Sequence, residues 1–192
     1  MVKKNFLNLQ DEELMAIFVS KKNISAFEIL LDRYKIPLFN YIKRLTGDFH
    51  KAEDICQEAF LRIIKKRFSF NSDFNFSTWA YSIATNLCKD ERRKDIIRQK
   101  ELLENGYVNN QLSTPESSVI EKNIGEKIRA IVSLLPEKLK TVFILAEYEG
   151  FSYEKISEIL DIPVGTVKSR MHNALKQLME YIRREELIND LQ

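Results

Sequence analysis

Thr166, Ser169, Arg170, Asn173 and Lys176 fall on one side of a stretch that reads as a helix, with Lys168 and His172 on its flanks. Hydroxyl, amide, guanidinium and ammonium groups at this spacing can donate to base edges and phosphates in a duplex groove. The other side carries Val164, Val167, Met171, Leu175 and Leu178 at three- and four-residue steps, so it is expected to face a core. The preceding residues complete a helix-turn-helix, which presents its second helix to the major groove. Ser152 can cap the first helix, with Glu154 in its first turn. Ile156, Ile159 and Leu160 give that helix an apolar face. Asp161 sits where the chain must turn, and Pro163 suits the start of the next helix.

A second set of recognition groups lies in STWAYSIATNLCKDERRK, Ser77 to Lys94. On a helix, Ala80, Ile83, Ala84 and Leu87 turn inward. Asn86, Asp90 and Arg93 line another side, beside Lys89 and Arg92. Asn and Arg suit base or phosphate contacts, and Asp can brace an arginine or accept from cytosine. Phe68, Phe70, Phe74, Phe76, Trp79 and Tyr81 lie just before or at the start of this helix. Rings interleaved with cations suit unpaired DNA, whose bases stack while its backbone follows the charge. Packing requires most of these rings, so two or three are expected to face solvent.

The third set differs in kind. In AEDICQEAFLRIIKK, residues 52–66, Ala52, Ile55, Cys56, Ala59, Phe60 and Ile63 gather on one side. Asp54, Gln57, Glu58 and Leu61 gather on the other, with Ile64 at their edge. Apolar groups set among acidic and amide groups suit a protein-binding patch, in which apolar area gives affinity and charge sets register.

Residues for bond-making chemistry are missing. The two histidines, His50 and His172, are far apart in sequence, and there is no Ser/His/Asp set, metal-ligand spacing or phosphate-cradling glycine loop. No cofactor, metal or small-molecule substrate is expected, and the chain reads as no enzyme. Two cysteines, Cys56 and Cys88, are too few for a disulfide framework and suit small core positions in a reducing compartment. No signal-peptide core and no apolar run of the roughly 20 residues that span a bilayer is present, so a soluble, cytoplasmic protein is expected.

Helices must position these groups. Only 5 Gly and 4 Pro in 192 residues leave little material for turns, and 44% hydrophobic residues suffice for packed cores. The net charge of +2 says little, but it is unevenly spread. Residues 1–95 hold 17 basic and 13 acidic groups, and residues 166–184 hold five basic and one acidic. Helical periodicity runs from about Asp11 to Asp95 and returns at Val119, broken at Pro136. Between them, 96–118 weakens into NGYVNNQLSTPESS, which reads as a linker. The expected architecture is all-α: two small helical domains, 10–95 and 119–184, joined by a flexible tether.

Three such segments in this order resemble the bacterial sigma factors of the extracytoplasmic-function type. AEDICQEAFLRI is similar to region 2.2, FSTWAYSIATNLCKDERRK to regions 2.3 and 2.4, and the stretch from Leu135 to Leu178 to region 4. The resemblance implies a promoter-specificity subunit of RNA polymerase. Asp54, Gln57, Glu58 and Leu61 would dock on the clamp helices of core polymerase. Trp79, Tyr81, Asn86, Asp90, Arg92 and Arg93 would open and read the minus-ten element. Thr166, Lys168, Ser169, Arg170, His172 and Asn173 would read the minus-thirty-five element as duplex, while region 4 touches the polymerase flap. An anti-sigma factor is a further implied partner, and a stress or envelope-response regulon the implied target. The chain departs from the family pattern at Thr85, Asn173 and Leu175, where arginines are common. It also departs at Asp161, a usual glycine, and at Ser157, a usual alanine. The nearest rival, a phosphorylation-dependent regulator with a similar C-terminal half, requires alternating strands in the first half, which is helical throughout.

Overall fold

The computed structural model describes residues 6–71, 74–104 and 124–189. Among these residues there is no strand. Four helices form the first module: α1 (Asp11–Lys21), α2 (Ile24–Thr46), α3 (Phe49–Lys65) and α4 (Phe76–Glu104), with a short 3-10 turn at Arg67–Ser69. The second holds α5 (Ile124–Ser133), α6 (Glu137–Phe143) widening into a π turn at Ile144–Tyr148, α7 (Tyr153–Leu160) and α8 (Val164–Asn189).

Side chains set the helix ends of the first module. Asn23 accepts from the Ala26 N–H at 3.3 Å to start α2, and Asp48 accepts from the Lys51 N–H at 3.0 Å to start α3. Gly47 stops α2 in the left-handed conformation at φ 72°. Glu12, on α1, accepts from the Phe76 N–H at 2.8 Å, so one helix caps another across the bundle. Arg33 and Tyr34 of α2 both bond the Asp11 carboxylate, tying α1 down. The bundle closes around Leu14, Met15, Leu30, Leu38, Tyr41, Ile42 and Ile63, all fully buried.

α4 runs ten residues beyond the expected end at Lys94. The extension is a helix without a core: Ile96, Ile97 and Leu102 are exposed. It is laced by charge pairs one turn apart, Asp95–Arg98 at 3.4 Å and Lys100–Glu104 at 3.7 Å. A hydrophobic period is what sequence reading follows, and a helix held by propensity and ion pairs has none. The remainder of the expected linker, and the expected helix start at Val119, lie outside the described residues.

The two modules pack against each other, chiefly through α4 on α7 and through α2 on the π turn and α6. The expected flexible tether leaves their arrangement in the free chain open. At the seam the Tyr81 ring meets Phe151 edge-on, with centroids 4.8 Å apart.

Candidate nucleic-acid and polymerase interfaces

α3 divides as its sequence implies. Ala52, Ile55, Cys56, Ala59, Phe60 and Ile63 are buried. Asp54, Gln57 and Leu61 stand outward, Leu61 at 49% exposure, and Glu58 and Ile64 are half-buried. Glu58 pairs with Arg62 one turn on at 3.0 Å. The exposed leucine between an acid and an amide offers apolar area that a partner can bury, at about 25 cal/mol per Å².

α4 sorts the aromatic stretch. Phe68 and Phe74 are exposed at 67% and 61%. Phe70, Phe76 and Trp79 form a mutual cluster, with Phe70 5.1 Å from Trp79. Phe76 is fully buried and Trp79 half-buried. Asn86, Arg92 and Arg93 are exposed and Asp90 half-buried. Asp90 braces Arg93 at 3.3 Å, as the i, i+3 spacing allows. Thr85 is buried. It donates to the Tyr81 carbonyl and accepts from the Tyr41 hydroxyl, each at 2.7 Å. An arginine here would place a charge in a packed core.

Tyr81 is the expected DNA-facing residue that the structure turns away from solvent. It is 4% exposed, and its hydroxyl donates to Glu149 at 2.7 Å. Arg44 of α2 reaches the same carboxylate at 3.2 Å and lies over the Tyr148 ring at 4.6 Å. The Glu149 side chain is only 7% exposed. Burial raises its carboxyl above the ordinary range, while the Tyr81 hydroxyl and Arg44 pull it back. Burial and this carboxylate together raise the Tyr81 phenol, so it stays a donor. Sequence reading singled out none of Arg44, Tyr148 and Glu149, because no local pattern announces a contact across more than a hundred residues. Arg92 is also engaged across the seam, with Glu137 at 3.1 Å.

Glu149 owes its position to the end of the π turn. The Glu149 N–H bonds Ile144 at 3.2 Å and the Phe151 N–H bonds Leu145 at 3.0 Å, around Gly150 at φ 70°. The closure over the left-handed glycine spans seven residues, one more than a Schellman motif, as the wider π turn before it requires.

The helix-turn-helix forms as expected. Ser152 accepts from the Lys155 N–H at 3.3 Å. Asp161 takes the turn at φ 52°, and the Ser157 hydroxyl donates to the Ile162 carbonyl at 2.6 Å, pinning it. The small residue at the helix crossing thus adds a bond that alanine would lack. On α8, Lys168, Ser169, His172, Asn173 and Lys176 are exposed, and Thr166 and Arg170 half-buried. Ser169 donates to the Thr166 carbonyl at 3.0 Å. Leu175 was expected inward and is 39% exposed; Ala174 is buried in its place, between Met171 and Leu178. The core stripe steps 4, 3, 4 from Val167, so it reaches position 174 rather than 175. Leu175, Met179 and Ile182 form a second, exposed stripe, which a search for two apolar stripes on one helix would have found.

Among the described residues no helix is long and apolar enough to cross a membrane, and no group of three side chains could hold a metal ion.

Two helical modules of this kind are what the Sigma-70 families describe. The Sigma-70 region 2 family matches residues 30–95 and the Sigma-70, region 4 family residues 125–178. The ECF RNA polymerase sigma factor SigW of Bacillus subtilis is 35% identical over 86% of this chain and 93% of its own length. The RNA polymerase sigma-H factor of Pseudomonas aeruginosa is 32% identical over 86% and 90%. The ECF RNA polymerase sigma-E factor of Escherichia coli K12 is 33% identical over 85% and 90%. The chain belongs to the extracytoplasmic-function RNA polymerase sigma factors. It is a promoter-specificity subunit, binding core RNA polymerase and promoter DNA to initiate transcription. The fold is also similar to two solved structures. One is the sigma factor RpoE in complex with the anti-sigma factor NepR from Bartonella quintana, with a TM-score of 0.66, 24% identity, and coverage of 82% of this chain and 96% of that one. The other is CnrH in complex with the cytosolic domain of CnrY, with a TM-score of 0.68, 18% identity, and coverage of 91% and 97%.

Proposed function

We propose a division of labour among named residues. Asp54, Gln57, Glu58 and Leu61 dock on the clamp helices of core polymerase. Trp79, Tyr81, Asn86, Asp90, Arg92 and Arg93 melt and read the minus-ten element. Thr166, Lys168, Ser169, Arg170, His172 and Asn173 read the minus-thirty-five duplex, and region 4 touches the flap. The modules expected at 10–95 and 119–184 do the work, with α4 carrying the first on to Glu104 and the tether following it. The chain carries no catalytic site of its own; polymerase supplies the chemistry. It works in the cytoplasm on a stress or envelope-response regulon, restrained by an anti-sigma factor. The fold's likeness to two sigma factors solved with such partners motivates that last assignment.

The observation that carries this reading is the division of α3. Its apolar side is buried, and Asp54, Gln57 and Leu61 stand free on the other. The test is the doubly substituted chain, Asp54→Ala with Gln57→Ala. It should keep its helicity and lose core-polymerase affinity. Normal affinity would overturn the docking assignment. Run-off transcription with core polymerase, on promoters selected from a random library, then gives the two elements.

A further inference from the structure

We propose that the packed arrangement is an autoinhibited state, and that Arg44, Tyr81 and Glu149 form the latch that holds it. The inference rests on the reading of Tyr81 and Arg92 as minus-ten contacts. Both are engaged by the second module: Tyr81 by Glu149 and Phe151, Arg92 by Glu137. A base cannot reach a tyrosine that is 4% exposed.

Part of the upstream-reading face is drawn toward the same seam: Arg170 is half-buried, while Lys168, Ser169, His172 and Asn173 stay exposed. Arg170 lines one cleft of about 310 Å³ with Lys89, Arg92, Arg93 and Glu137. The two elements are named for positions about 25 base pairs apart, or ~85 Å of duplex at ~3.4 Å per pair. Two faces that share one cleft cannot engage both. Opening is within reach of the chain, since the 19 residues of 105–123 can span up to about 65 Å when extended.

The latch is suited to release. Its bonds are polar, and water or a partner can replace each one. The Glu149 carboxylate recovers its hydration when the modules part, which offsets part of the lost attraction to Arg44. Tyr81 is a two-position switch: held by a carboxylate when closed, presented to DNA when open. Polymerase, which grips α3 on a face the second module leaves exposed, can bind first and draw the modules apart.

The test uses the full chain with Arg44→Glu, Glu149→Arg, and both together. Each single change sets like charges against each other; the pair restores attraction in reverse. Two readouts are taken: X-ray scattering of the free chain, and run-off transcription with core polymerase at limiting chain. The unsubstituted chain should show a radius of gyration near the compact value of about 16 Å. Arg44→Glu and Glu149→Arg should expand it and reach half-maximal transcription at roughly tenfold lower concentration, and the double variant should return to the starting behaviour in both. Single variants as compact as the parent, or expanded variants that transcribe no better, overturn the latch. If a single variant loses helicity, Arg44→Ala, which leaves the buried Glu149 carboxylate without its cation and adds no like charge, should give a smaller shift in the same direction, and no shift overturns the latch. Expansion with no transcript from any chain, including the parent, instead overturns the sigma-factor residue assignments.

Discussion

The Tyr81 hydroxyl and the Glu149 carboxylate meet at 2.7 Å across the seam between the two modules, although 68 positions separate them in the chain. Tyr81 sits on α4, the helix proposed to read the minus-ten element, and Glu149 on the turn that leads into the helix-turn-helix. With Arg44–Glu149 and Arg92–Glu137, this bond ties the region 2 module to the region 4 module.

Closure should depend on pH through Glu149. Burial is the largest influence on its carboxyl and raises it, with the Tyr81 hydroxyl and Arg44 opposing. In an opened chain the carboxyl returns to its ordinary range. A raised value means that the closed form binds the proton more tightly. The penalty for closing is thus absent at low pH, grows as pH rises past the ordinary carboxylate value, and is complete above the raised one. Scattering of the partly opened Arg44→Ala chain between about pH 7.5 and about pH 5 should show contraction on acidification. Glu149→Gln should flatten that dependence.

The buried hydroxyl chain from Tyr41 through Thr85 to the Tyr81 carbonyl should carry measurable stability. Thr85→Val keeps the shape and strands the Tyr41 hydroxyl, at a cost of about 1–3 kcal/mol. Adding Tyr41→Phe removes the stranded group, so the double substitution should cost less than the sum of the singles. Urea denaturation of the three variants measures this, and strict additivity would refute the bond's role.

Two left-handed residues should respond in opposite directions. Gly150, at φ 70°, has open space where a side chain would begin, so Gly150→Ala meets only backbone strain, about 1–2 kcal/mol. Asp161, at φ 52°, already bears that strain, and Asp161→Gly should raise stability by up to about 1 kcal/mol. Thermal melts should move down for the first and up for the second, by about 2–4 °C per kcal/mol.

On α8, Arg170→Ala should weaken binding to the upstream duplex and lower the salt slope by about 0.9 if the guanidinium neutralises one phosphate. Fluorescence titrations at several salt concentrations give the slope. An unchanged slope removes Arg170 from the phosphate contacts.

Local rules made much of this legible. The caps at Ser152 and the turn at Asp161 follow from side-chain chemistry within a few residues, and the two faces of α3 follow from one clean period. Where the stripe drifts between Ala174 and Leu175 on a long helix, adjacent candidates compete and packing chooses the smaller one. The tail of α4 eluded the reading because charge pairs, not burial, sustain it. The largest gap was the seam itself. Glu149 reads as one acid among many, and only the folded backbone brings it to Tyr81 and Arg44.

The two cysteines are both buried, and burial pushes Cys56 up to about 11 and Cys88 up to about 12. At neutral pH only on the order of one thiol in ten thousand, or fewer, is in the nucleophilic form. Iodoacetamide should therefore label the native chain far more slowly than the urea-unfolded one. The protein is chemically deaf to peroxide at these positions. An oxidant reaching this chain would meet the exposed thioether of Met179 before either thiol, so the two cysteines are spectators in any such response.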